Sequence, residues 1–253
     1  MARGGKRQGM AEGRAERKGQ KAPRKRFYRT RAHSNPLSDM YFPVPSCPKG
    51  ADWSSHFPAA CGTEDAPETP KVEFADVGCG FGGLLIRLAP LFPDRLMVGM
   101  EIRDKVAEYV QERIANLRRE HEGQYQNISC IRTNSQKFLV HYFCKGQLQK
   151  LFFLFPDPHF KAQNHRRRII SLSLLAEYAY LLAPGGRMYT ITDVPELAEW
   201  MKSKVAAHPS FRPLTQEELD ADVAAGLLIT SSEEGQKVER NSGQTWRMVY
   251  QRL

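Results

Sequence analysis

The chain has 253 residues, 41% of them hydrophobic, enough to build one good core. It contains no apolar run of roughly 18 residues and no apolar stretch at its N-terminus, which excludes a spanning helix and argues against secretion. The formal net charge is +9, but residues 1–31 hold 12 Lys and Arg against two acids, so the remaining 25 basic and 26 acidic residues leave the body at −1. The basic character belongs to the tail.

That tail, "MARGGKRQGMAEGRAERKGQKAPRKR" (1–26), has few apolar groups and cannot bury enough surface to offset ordering entropy; it reads as disordered. A polybasic arm suits phosphate contact or nuclear import, or serves as a solubilising tail. Residues 27–70 are rich in aromatics and prolines and read as an irregular segment draped on the domain that follows, 71–253. The five cysteines, 47, 61, 79, 130 and 144, form no CxxC pair, and their odd number fits free thiols better than a disulfide frame or a zinc site.

From Lys71 strands and helices alternate. "VEFADVG" predicts a strand, "GLLIRLAPLF" a helix ending near Pro93, "RLMVGMEI" a second strand and "DKVAEYVQERIANLRREHE" an amphipathic helix. "ISCIRT" and "LFFLF" are the third and fourth strands. After them come the helix "SLLAEYAYLLA", a "PGG" turn, the strand "RMYTIT" and a helix from Pro195 to about Ala207. This alternation implies a Rossmann-like α/β fold, a mostly parallel sheet flanked by helices on both faces.

Ligands of such sheets sit beyond the carboxyl ends of the strands, near the point where strand order reverses. The residues there are Gly78-Cys79-Gly80, Glu101, Asn134, Asp157 and Asp193. "ADVGCGFGG" follows a strand and opens a helix; Gly78 and Gly80 allow a tight turn and close approach of a ligand. Glu101, about 20 residues on, can accept hydrogen bonds from ribose hydroxyls. Gly78, Gly80 and Gly83 satisfy the dinucleotide pattern, yet Asp76 lies two residues before the first glycine, where an acid opposes a pyrophosphate and favours a cation. Charge complementarity therefore points to S-adenosylmethionine before a nicotinamide dinucleotide. Asn134-Ser135 would lie where an adenine edge is read, or Asn134 closes a turn.

The fourth strand runs into "PDPHFK". Pro156 and Pro158 fix φ on both sides of Asp157 and stiffen its turn, which preorganises the carboxylate. The alternative is an Asp that caps the following turn. Amino-group methyltransferases of nucleic acids carry a related acid or amide before proline, then a second proline and an aromatic ring; D-P-H-F is a neighbour of that pattern, not a match.

"ADVGCGFGGLL", "GMEIR", "FLFPDPHFK", "TSSEEGQK" and, near the N-terminus, "RAHSNP" together resemble the catalytic subunit of the eukaryotic tRNA (guanine-N7)-methyltransferase family, over roughly Phe27 to Lys237. The resemblance implies a class I S-adenosylmethionine-dependent methyltransferase fold and methyl transfer to N7 of a guanine in the tRNA variable loop. It places Gly78, Glu101, Arg103, Asn134, Ser135 and Leu154 at cofactor contacts, Asp157 at catalysis, and Ser232 and Glu234 at a C-terminal signature closing the site. Ser135 stands where the family usually has alanine, and Ser232 where it has threonine. The family also implies a non-catalytic WD-repeat partner forming a heterodimer, and a nuclear location with cytosol open. The helix "EYVQERIANLRREHE" reads as a docking surface or a solvated face.

Lys161, His165, Arg166, Arg167 and Arg168 follow the acidic turn and read as a phosphate clamp for tRNA; a basic cluster at a helix start is unfavourable, which argues that it has a use. Arg29 and Arg31 precede Ser34 by the spacing basophilic kinases favour, which makes Ser34 a phosphorylation candidate that would lower activity. Two other classes compete: a catalytically silent RNA-binding subunit, opposed by the intact Asp76, Glu101, Asn134 and Asp157, and an NAD-linked oxidoreductase, opposed by Asp76 and by the lack of a Tyr-x-x-x-Lys pair after the fourth strand.

Overall fold

The computed structural model describes residues 22–28, 30–31, 34–38, 40–61, 70–231, 233–241 and 243–253, leaving aside the side chains of 233, 234, 237 and 239. Most of the basic tail, Ser232 and the Glu234 side chain lie outside what is described. Strands β1 (Val72–Val77), β2 (Leu96–Glu101), β3 (Ile128–Arg132), β4 (Leu148–Leu154), β5 (Leu182–Thr192), β6 (Phe211–Pro213) and β7 (Trp246–Arg252) form one sheet in the order β3-β2-β1-β4-β5-β7-β6. The first five pair in parallel; β7 pairs antiparallel with both β5 and β6. Order reverses between β1 and β4, whose carboxyl ends open the crevice where ligands of doubly wound sheets bind. This is a Rossmann-like, doubly wound arrangement with an antiparallel edge.

Helices α1 (Trp53–His56), α2 (Gly83–Leu88), α3 (Asp104–Glu120), α4 (Ser135–Phe138), α5 (Leu172–Leu181), α6 (Pro195–Ala206), α7 (Gln216–Asp220), α8 (Val223–Ser231) and α9 (Glu233–Arg240) accompany the strands. Two cores result, one per sheet face. In β4, Leu151 and Phe153 face the core containing Leu175, Tyr178, Leu197 and Met201, while Phe152 faces the core of Val110, Ile114 and Leu228. All three are at most 1% exposed, as expected of an apolar strand buried on both sides. Trp53 and Phe57, from the proline-rich segment, are buried in the first core, with the Trp53 ring stacked on Phe143.

Three differences from the sequence reading have local causes. α2 stops at Leu88 instead of running to Pro93, because Pro90 lacks the N–H that would continue it. The "PGG" segment lies inside β5: Leu148 pairs with Leu182 and Lys150 with Arg187, so the residues between bulge out of the ladder. β6 and β7 add to the strands that periodicity predicts, since "WRMVYQR" carries no clean alternation.

Candidate active site

The turn after β1 is held by two backbone bonds to the end of β2, Gly78 N–H (2.7 Å) and Cys79 N–H (3.2 Å) to the Met100 carbonyl. Gly78 and Gly80 have φ of +73° and +53°, and a Cβ on either would meet no atom within 4 Å. The glycines thus satisfy a left-handed backbone and keep open the space a ligand would fill. Gly78, Gly80, Glu101, Arg103, Asn134, Ser135, Leu154 and Asp157 all line one open cavity of about 650 Å³, with Asp76, Asp193 and Arg167 also on its wall.

Glu101 ends β2 at 2% exposure. Its Oε1 accepts the Arg103 backbone N–H and Nε–H, each 3.0 Å, and its Oε2 accepts Gly80 N–H (3.1 Å) and Arg103 Nη2–H (3.0 Å). Burial pulls the Arg103 guanidinium down in pKa, but its pairing with Glu101 and the charge of Asp157 outweigh this and hold it above its ordinary value. Asp76 is buried, and burial followed by repulsion from Glu101 pushes it up to about 7. This corrects the sequence argument: near neutrality and without a ligand, Asp76 carries only part of a negative charge, and a cation beside it would complete the ionisation.

Asn134 caps α4. Its Oδ1 accepts Gln136 N–H (3.1 Å) and its Nδ2 donates to the Pro36 carbonyl (2.6 Å). The turn-closing alternative therefore describes its present contacts. Through this bond and Lys137 Nζ–H to the Ser38 carbonyl (2.8 Å), residues around Pro36 are tied to the cavity mouth. Ser34 and Pro36 line the cavity, an adjacency that "RAHSNP" could not reveal because it joins positions about a hundred residues apart.

On the opposite wall, Pro156-Asp157-Pro158 lies between two non-glycine residues in left-handed backbone, Phe155 (φ +48°) and His159 (φ +45°). Such residues cost on the order of 1–3 kcal/mol each and persist where neighbours over-determine them. The neighbours here are Ile191, whose carbonyl accepts Phe155 N–H (2.8 Å), and Arg168, whose Nε–H donates to the Pro158 carbonyl (2.8 Å).

Arg168 does not belong to an RNA-facing clamp. Its side chain is 1% exposed, pairs with Glu196 at 2.7 Å and lies 4.7 Å from the Trp200 ring centre, so it braces the turn from behind. His165 also faces inward, edge-on to Trp200 and 3.6 Å from Glu196. Lys161 and Arg166 are exposed, and Arg167 is half-buried on the cavity wall. The argument from an unfavourable helix start also fails: His165, Arg166 and Arg167 occupy the last turn of a 3-10 segment, Ala162–Arg167, where a helix end tolerates cations.

A glycine cradle, a buried acid at the end of β2 and an acid-bearing proline turn across the crevice define a methyltransferase of the Rossmann-like class, and residues 70–248 match the family described as putative methyltransferase. Similar proteins include the tRNA (guanine-N(7)-)-methyltransferases of Arabidopsis thaliana (64% identical, covering 91% of this chain and 92% of the relative), Zea mays (59%; 93% and 94%) and Xenopus laevis (53%; 91% and 89%). The chain belongs to the tRNA (guanine-N(7)-)-methyltransferase family.

The cavity fits S-adenosylmethionine. Its glycine wall admits a ligand at backbone distance, and Asp76, Glu101, Asp157 and Asp193 on the wall suit a ligand bearing a sulfonium and an ammonium.

Proposed function

We propose that this cavity binds S-adenosylmethionine and a guanine of the tRNA variable loop, and that the methyl group passes to guanine N7. The observation that carries the reading is the shared cavity: Asp157, the Gly78–Gly80 turn and Glu101 line one space at the sheet's switch point. In this assignment Gly78 and Gly80 admit the cofactor, Glu101 takes its ribose, Ser135 and Leu154 flank its base, and Asn134 holds the Pro36 segment over that end. Ser232 and Glu234 close the site by family resemblance.

S-adenosylmethionine supplies an activated methyl: as the guanine N7 lone pair forms the new N–C bond, the S–C bond breaks and its electron pair stays on sulfur. N7 carries no proton, so no general base is needed. The work left to the protein is alignment, which is largely a proximity effect. Asp157 accepts hydrogen bonds from guanine N1–H and the N2 amino group, fixing the ring by its far edge and favouring the positive charge that develops on it. The strained, braced turn keeps that carboxylate still.

Lys161 and Arg166 meet flanking phosphates, and Arg167 reaches the target nucleotide from the wall. The catalytic assignment is tested by Asp157→Ala at saturating tRNA: turnover should fall about 100-fold or more while S-adenosylhomocysteine still binds. Wild-type turnover would overturn it.

Phosphorylation of Ser34, at the cavity wall, adds nearly two negative charges beside a basic arm suited to touch RNA, repels the RNA backbone and so lowers activity. A Ser34→Asp variant with full activity would count against this. The resemblance further supports a heterodimer with a WD-repeat subunit in the nucleus; co-expression followed by sizing of the complex tests the first, and imaging of the tagged chain the second.

A further inference from the structure

Phe160, three residues beyond Asp157, is 67% exposed. Single exposed apolar side chains are ordinary on a protein surface, but this one stands on a fixed segment. Behind it the Pro158 carbonyl accepts Arg168 Nε–H (2.8 Å), and ahead of it the Lys161 carbonyl accepts Asn164 N–H (2.7 Å). His159 joins the two at φ +45°, a left-handed backbone that a non-glycine residue keeps only under constraint. The backbone therefore holds the Phe160 ring out.

Its surroundings select the occupant. Pro158 and His159 line the cavity and Phe160 does not, so the ring lies just outside the mouth, on the side of Asp157. Lys161 and Arg166 beside it are exposed cations. An aromatic face among cations is how single-stranded nucleic acid is held: the cations track the backbone and the ring takes a base. A guanine drawn into the cavity leaves its stack, and the base next to it loses a partner. We propose that Phe160 supplies that partner: its ring stacks on the nucleotide adjacent to the target guanine, while Lys161 and Arg166 hold the phosphates around it. The proposal rests on the acceptor reading given above and adds to it a contact that favours no particular base, since every base offers a π-face. This stacking is present in the bound complex and in the transition state alike. It strengthens tRNA binding without speeding the chemical step.

The test is methylation by the full chain at varied tRNA and saturating S-adenosylmethionine. Phe160→Ala should raise KM for tRNA about 10-fold and leave kcat within about 2-fold. That split is the reverse of the turnover loss expected for Asp157→Ala. Phe160→Trp, which keeps a stacking face, should hold the wild-type KM or lower it. Phe160→Leu, apolar but without a π-face, should behave like the alanine variant. Thermal melts of all three should match wild type, because a mostly exposed ring adds little to the core. On tRNA transcripts with an abasic nucleotide on one side or the other of the target guanine, Phe160→Ala should add no further cost on one of the two, because base and ring act as a pair. An unchanged KM in Phe160→Ala, a wild-type KM in Phe160→Leu, or an undiminished cost on both abasic transcripts would each overturn the stacking role. Wild-type protein that forms no 7-methylguanosine would instead overturn the acceptor reading on which it rests.

Discussion

Asp76 shows how one buried carboxyl makes a site pH-sensitive. Its pKa is raised to about 7, so between the unfolded value and 7 the native chain holds a proton that the unfolded chain releases. Stability from this group is therefore lost as pH rises through that window. Asp76→Asn should raise the melting temperature of the ligand-free protein at pH 8 and change it little at pH 4. The cofactor's positive charge acts the other way: it favours ionised Asp76, so binding releases a proton, and S-adenosylhomocysteine, which keeps the ammonium, should bind more weakly at pH 6 than at pH 8. Calorimetry in buffers of different ionisation enthalpy reads that proton directly; affinity that improves on acidification would contradict the account.

Among the elements, α8 is anchored by charge as well as by packing. Asp222, 2% exposed in its side chain, accepts the Ala224 (2.9 Å) and Ala225 (3.2 Å) N–H groups at the helix start, accepts the Tyr189 hydroxyl (2.6 Å), and pairs with Arg187 and with Lys150 at 3.6 Å. Burial raises the Asp222 carboxyl, but Lys150, Tyr189 and Arg187 outweigh it and hold it below its ordinary value. Asp222→Ala leaves Lys150 facing a buried gap and should destabilise by roughly 3–5 kcal/mol in a denaturant melt. The turn after β4 offers a contrast between neighbours. Alanine at Lys161, Arg166 and Arg167 should flatten the salt dependence of tRNA binding. Arg168→Met should leave that slope unchanged and slow turnover, since it loosens the Pro158 carbonyl behind Asp157. An identical slope loss for both variants would refute the division. Composition could not draw this distinction, because four adjacent basic letters carry no sign of which one a tryptophan and a glutamate will bury.

At the scale of the molecule, the parallel half of the sheet was readable because its strands are apolar runs closed by a polar or glycine residue, and those closing residues line one cavity. Gly78, Glu101 and Asp157 could be placed in one crevice before any coordinates, by the rule that strand ends gather at the switch point. The antiparallel half was not readable. Arg247 and Gln251 interrupt the apolar pattern of β7, which is ordered by pairing with β5 and not by its own periodicity. The ties of Asn134 to Pro36 and of Arg103 to Glu101 were also hidden, the first because it spans the chain, the second because it uses up an acceptor the sequence presents as open. The whole account converges on one chemical event, and one measurement reads it: incubate the protein with methyl-labelled S-adenosylmethionine and bulk tRNA, digest the RNA and identify the labelled nucleoside. Label in 7-methylguanosine from the variable loop is the predicted result; label in any other nucleoside, or none in RNA, would contradict it.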